Sequence, residues 1–208
     1  IELQPGTITC LVGRSGCGKT TLLHALAGLL QPQEGKVLLH GSDVTGHPGH
    51  IGYMLQKDLL IPSKRIIDNV ALPLELKGVS RSEARARAQE MLERGGLERV
   101  TQSWPHELSG GMRQRVAFLR TALIGSDIML LDEPFSALDP HLRTTMRQEL
   151  LALRPQDRTL LADLARLGEW TGNGPQALGL TTPPSRNTGG HGNQSRTAGQ
   201  PFAFLLMH

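Results

Sequence analysis

The sequence predicts an α/β fold, a mainly parallel sheet covered by helices with a small helical subdomain attached. Three observations lead there. Short apolar runs suited to buried strands alternate with stretches at helical period. One run, Ile8 to Val12, passes through a glycine-rich loop straight into a helical pattern. A second, Ile128 to Leu131, ends on two carboxylates, Asp132 and Glu133.

In chain order, Ile8 to Val12 is apolar and ends at a glycine, the pattern of a buried strand. After Lys19, the residues Leu22, Leu23, Leu26, Leu29 and Leu30 recur at helical spacing, with Gly28 and Pro32 near the stop. Gly35 to His40 reads as a strand and Gly41 to Gly46 as a turn region. Ser82 to Arg94 forms a second helical pattern, with Ser80 or Ser82 as its N-cap and Gly95–Gly96 as its terminator. Met112, Val116, Leu119 and Leu123 mark a third helix, and Leu142, Met146, Leu150 and Leu153 a fourth. From Thr171 onward Gly, Pro, Thr, Asn and Ser abound and no acidic residue occurs. Such a stretch buries too little apolar surface to offset its ordering entropy, so a disordered or off-frame tail is expected there.

The 208 residues suffice for one well-buried domain. Aromatics make up only 3%, so the core must be built from Leu, Val, Ile, Ala and Met. A net charge of +3 is too slight to argue for nucleic acid as a partner. Arg81, Arg85, Arg87 and Arg94 are interleaved with Glu83, Glu90 and Glu93, which reads as a solvated helix with i,i+4 pairs. Cys10 and Cys17 provide neither a disulfide framework nor a usual metal site, and a reduced, cytosolic compartment is the natural expectation. No run approaches the ~18 apolar residues of a membrane span, so work at a membrane would need a partner. The chain opens on Ile1, and a fragment is one expectation that follows.

Gly13-Arg14-Ser15-Gly16-Cys17-Gly18-Lys19-Thr20 fits the P-loop pattern, with a strand before it and a helix after it. Its glycines let backbone N–H groups turn inward around phosphate oxygens, and the following helix adds its dipole. Lys19 supplies a point charge for the β- and γ-phosphates of ATP, the Thr20 hydroxyl suits Mg²⁺, and Thr21 extends the set into the helix. Asp132, delivered to the C-terminal edge of its strand, would hold Mg²⁺ directly or through water. Glu133 is placed to polarise the attacking water as general base. Ser109, Gly110 and Gly111 at a helix start form a second anion site.

Leu108-Ser109-Gly110-Gly111-Met112-Arg113-Gln114-Arg115 resembles the signature sequence of ABC ATPases. Gln56 resembles the Q-loop glutamine of that family, and Ser136-Ala137-Leu138-Asp139 its D-loop. On these motifs, in order and spacing, residues 3 to 154 are similar to an ABC ATPase. The resemblance implies a head-to-tail dimer with two ATP molecules sandwiched between P-loop and signature. It also implies that Gln56 serves both the metal and catalysis, linking nucleotide state to transport, and that Asp139 lies at the nucleotide interface. A division follows: 1–58 and 116–165 as two parts of the nucleotide-binding core, 59–115 as the helical subdomain with the signature, and 166–208 as the tail.

Between Gly13 and Ser109 no sustained heptads occur, which argues against the coiled-coil branch of the superfamily. Gln56-Lys57-Asp58-Leu59-Leu60-Ile61-Pro62, Asp68-Asn69-Val70-Ala71-Leu72-Pro73-Leu74 and Asp132 to Asp139 look like bacterial importers, nearest to the nitrate, sulfonate, taurine and thiamine-precursor group. The expected partners are then a second ATPase subunit, a transmembrane permease and, indirectly, an extracytoplasmic binding protein. The expected place is the cytoplasmic face of the membrane.

Three departures from the family pattern stand out. An adenine-stacking aromatic well upstream of the P-loop has no counterpart in residues 1–12, and the first strands of the sheet are expected to be missing, with poor solubility as a result. Thr159-Leu160-Leu161 resembles the strand leading to the family's switch histidine, yet Ala162-Asp163-Leu164-Ala165 follows, and no histidine lies between His141 and His191. The final helices are replaced by residues 171–208, for which a frameshift near 155–165 is one explanation. Two readings therefore compete: an ATPase that drives import, and a fragment that binds ATP without productive turnover. A third, an ABC protein acting on nucleic acid or ribosomes, normally needs two motor halves in one chain.

Overall fold

The structure is a computed structural model that describes residues 2–3, 6–135, 143, 159–163, 176–179 and 206–207. Its elements in chain order are β1 (Glu2–Leu3), β2 (Ile8–Val12), α1 (Lys19–Leu26), β3 (Leu38–Leu39), β4 (Ser42–Asp43), β5 (Gly52–Met54), α2 (Ile66–Leu76), α3 (Arg81–Arg94), α4 (Gly110–Leu123), β6 (Ile128–Leu131), β7 (Thr159–Asp163), β8 (Gln176–Gly179) and β9 (Leu206–Met207). The main sheet has the order β5-β6-β7-β2-β8, and every pairing in it is parallel. A smaller sheet, β1-β9-β3-β4, contains one antiparallel hairpin.

Strands buried on both faces read as continuous apolar runs, because successive side chains enter opposite layers. In β6, Met129 and Leu131 join the core cluster formed with α2, α3 and α4. Ile128 and Leu130 join the opposite cluster, which holds Leu23 and Leu26 of α1. β2 divides likewise, Cys10 to one side and Leu11 to the other. This two-sided burial explains why Ile128 to Leu131 shows no polar alternation at all.

Several boundaries differ from the sequence expectation. α1 stops at Leu26, so Leu29 and Leu30 fall beyond it and are exposed at 57% and 43%. Gly28 enforces the stop: its φ is +75°, and a Cβ there would sit 2.5 Å from the His47 backbone. The strand expected over 35–40 narrows to Leu38–Leu39. His40 and Gly41, both at positive φ, turn the chain directly into β4 inside the expected turn region.

The sequence pattern does not predict α2 as a helix, because Pro73 interrupts it, and Arg65 gives no side-chain cap. A tertiary cap replaces the local one. The amides of Ile66 and Ile67 donate to the carbonyls of Ser103 and Thr101, each at 2.9 Å. Ile66, Ile67, Val70, Ala71 and Leu74 then bury one stripe.

α3 starts one residue earlier than expected, at Arg81, with Ser80 accepting from the Glu83 amide at 3.3 Å and Gly95 at its end. Ala84, Ala88 and Leu92 form its buried face. α4 begins at Gly110, and the expected boundary at 115/116 falls within it. The fourth helix and the D-loop, with Asp139, lie outside the described residues apart from Arg143. β8 and β9 place two short parallel-paired segments inside the stretch expected to be unstructured, and most of that stretch also lies outside the described residues.

Candidate functional site

The site forms where β2, β5 and β6 end. The loop leaving β2 needs left-handed backbone at Gly16 (φ +79°) and Gly18 (φ +100°), and a Cβ built at either would meet nothing within 4 Å. The loop therefore has open space beside both glycines. α1 starts at Gly18 with no side-chain cap and no acidic residue in its first turn, so no capping side chain neutralises its positive end. These features fit a polyphosphate.

Lys19 is only 8% exposed, and its ammonium donates to the carbonyls of Gly13 at 2.9 Å and Arg14 at 3.3 Å. The charge is thus held over the loop it would serve. Neutral carbonyls are weaker acceptors than phosphate oxygens, so a phosphate would compete well for it.

β6 brings Asp132 to this loop. Its amide donates to the Met54 carbonyl at 3.0 Å, extending the β5–β6 pairing by one residue. One carboxylate oxygen accepts from the Thr20 hydroxyl and the other from the Tyr53 hydroxyl, both at 3.3 Å. Residues far apart in sequence thereby form one oxygen-rich cluster. Asp132 is 2% exposed, and burial raises its carboxyl above the ordinary range, while the bonds from Thr20 and Tyr53 and the nearby His24 oppose that rise. A buried carboxylate beside a hydroxyl is the donor set that Mg²⁺ prefers, so Thr20 and Asp132 fit that ion.

Glu133 follows at φ +45°, a left-handed conformation that costs a non-glycine residue about 1–2 kcal/mol. Strain of this kind persists only where surrounding structure enforces it, and it clusters at working sites. The Gln56 side chain donates to the Glu133 carboxylate at 2.8 Å. The structure therefore joins Thr20 with Asp132, and Gln56 with Glu133.

Ser109, Gly110 and Gly111 stand at the start of α4, where the Ser109 hydroxyl accepts from the Met112 amide at 3.3 Å. Its hydroxyl thus caps its own helix. Arg14 and Ser15 are exposed in the loop and Thr21 in α1, while Cys17 is buried within the loop.

Tyr53 escaped the sequence reading. As the chain's single tyrosine, three residues before Gln56, it carried a signal that only the β5–β6 register turns into a contact.

A phosphate-cradling loop on a parallel sheet, with a carboxylate from the strand next but one, defines a P-loop nucleotide-binding protein. The pattern of the ABC transporter family matches residues 1–136, and the chain belongs to that family. It is 47% identical over 142 residues to a taurine import ATP-binding protein of Rhizobium johnstonii, covering 68% of this chain and 54% of the relative. It is 45% identical over 157 residues to an Fe(3+) ions import ATP-binding protein of Rhizobium meliloti, covering 74% and 44%. The chain thus spans about half the length of the curated relatives it matches. Among solved structures, it resembles the ATP-binding cassette MJ0796 in a dimeric post-hydrolysis state bound to ADP and Pi. The TM-score is 0.73 at 30% identity, covering 81% of this chain and 79% of the other.

Proposed function

We propose that this chain is the ATP-binding and ATP-hydrolysing motor part of an ABC importer. The observation that supports this best is the meeting of Thr20 with Asp132 beside the P-loop. In this reading the loop amides and Lys19 bind the phosphates of ATP, while Thr20 and Asp132 hold Mg²⁺ with Tyr53 fixing the carboxylate. The ion, when bound, neutralises charge developing on the β- and γ-phosphates. Glu133 takes a proton from the attacking water, and Gln56, already bonded to it, orients that carboxylate. Ser109 to Gly111, with Asp139, would complete the site of a second copy in a head-to-tail dimer.

The import reading draws on the relatives, which are named as import ATP-binding proteins. No helix among the described residues is long and apolar enough to cross a membrane. The proposed arrangement is peripheral, at the cytoplasmic face, on a permease that an external binding protein supplies. The division at 58, 115 and 165 belongs to the same proposal.

A second reading rests on one observation. No histidine lies between His141 and His191, where the family's switch residue would follow β7. Binding would then outlast turnover. Steady-state hydrolysis of Mg·ATP by the full chain, beside Glu133→Gln, separates the two. The motor reading expects slow turnover that falls by about 100-fold or more in the variant, the scale of a lost general base. Equal, measurable rates in both proteins would remove Glu133 from the chemistry, and no turnover in either would favour the second reading.

A further inference from the structure

Three residues beyond Gln56 the backbone does something unusual. Leu59 has φ +44° with its side chain 53% exposed, a conformation that costs a bulky residue and that no turn glycine relieves. What holds it there comes from α4. The Arg120 guanidinium donates to the carbonyls of Asp58 at 2.7 Å and Leu59 at 3.0 Å. Arg113 donates through Nε to the Asp58 carboxylate at 3.0 Å and through its terminal nitrogen to the Leu108 carbonyl at 2.8 Å. The other Asp58 oxygen accepts from the Leu60 amide at 3.1 Å, closing the loop on itself. Leu60 in turn is buried in the cluster that includes Val116 and Leu119 of α4.

The contact is directional. Arg113 sits one helical turn past Ser109, and its reach to Leu108 brackets the start of α4. Asp58 sits two residues past Gln56, which is bonded to Glu133. Three hydrogen bonds from two arginines of one helix therefore connect the segment that follows Gln56 to the helix bearing the signature residues.

We propose that Asp58, Arg113 and Arg120 form a positioning staple that makes the Gln56 segment and the Ser109 end of α4 move as one body. The staple rests on the proposed ATPase reading for its purpose, since it would make each signature report on the carboxylate of its own subunit. Asp58, Arg113 and Arg120 touch neither ATP nor its phosphates in this assignment. They act through Gln56 and Ser109.

The test uses the full chain and three variants, Asp58→Asn, Arg113→Met and the double change, followed by amide hydrogen exchange. In the ligand-free protein, Asp58→Asn is expected to speed exchange at residues 109–113 by about fivefold, within what a partly exposed ion pair can supply. Arg113→Met is expected to speed the Leu60 amide similarly, and the double variant to do no more than either single one. Melting temperatures should shift by no more than about 4 °C, which separates local uncoupling from general loss of fold. With Mg·ATP, protection should arise at both 56–60 and 109–113 in the parent chain, but only at 56–60 in the variants. Unchanged exchange at 109–113 in Asp58→Asn, or effects that multiply in the double variant, would overturn the staple. A parent chain that fails to bind Mg·ATP in calorimetry would sink the ATPase reading instead, while the ligand-free comparison would still decide the staple.

Discussion

Cys10 shows how strongly position governs chemistry at the residue scale. It lies in the middle of β2 at 1% exposure, and burial pushes its thiol from 9.0 up to about 11. The folded chain keeps the proton longer than the unfolded one, so the associated stability is present below pH 9 and is lost as pH rises through 11. Denaturant midpoints of the parent chain should therefore fall more steeply between those values than midpoints of Cys10→Ala. Identical slopes would show that the thiol titrates alike in the folded and unfolded chain. Lys19 and Asp132 are buried as well, but each has polar partners from the loop or the neighbouring strand, which is how a charge survives there. The loop glycines, Lys19, Asp132 and Glu133 could be picked out from the sequence because their chemistry depends on local order. The bonds from Tyr53 to Asp132 and from Asp58 to Arg113 could not, since each depends on a register or a helix packing that no local pattern encodes.

Between the elements, the decisive polar group is Asn69 on α2, which is fully buried. Its carboxamide accepts from the Ile61 amide at 2.7 Å and donates to the carbonyls of Ile61, Lys64 and Arg65 at 3.1, 3.0 and 3.2 Å. It thereby pins the irregular stretch between the Gln56 segment and α2. Asn69→Ala should cost about 2–3 kcal/mol in chemical denaturation, because it strands a buried amide and several carbonyls. A loss within about 0.5 kcal/mol would mean that the stretch finds other partners. The same helix explains a gap in the sequence reading. A proline at position 73 and a missing local cap spoil the usual helix signals, while the cap arrives from the carbonyls of Thr101 and Ser103. α3, by contrast, has Ser80 at one end and Gly95 at the other, and its bounds were readable to within a residue.

For the whole molecule, the parallel order β5-β6-β7-β2-β8 sets function by geometry. It places the end of β6, with its two carboxylates, near the loop that leaves β2, with β7 between them. Strand order cannot be read from alternation of strands and helices alone, although the fold class could. In β7, Thr159-Leu160-Leu161 resembles the strand that leads to the family's switch histidine, and here that strand ends on Asp163. Under the proposed ATPase reading, weak turnover is therefore the outcome expected of this chain.

The most direct test is calorimetric titration of the full chain with Mg·ATP beside Lys19→Ala. The account expects one ATP per chain and at least about a tenfold loss of affinity in the variant, the scale of a charge-assisted bond to phosphate. Undetectable binding by the parent chain, or equal affinity in both proteins, would contradict the assignment of this loop as a nucleotide site.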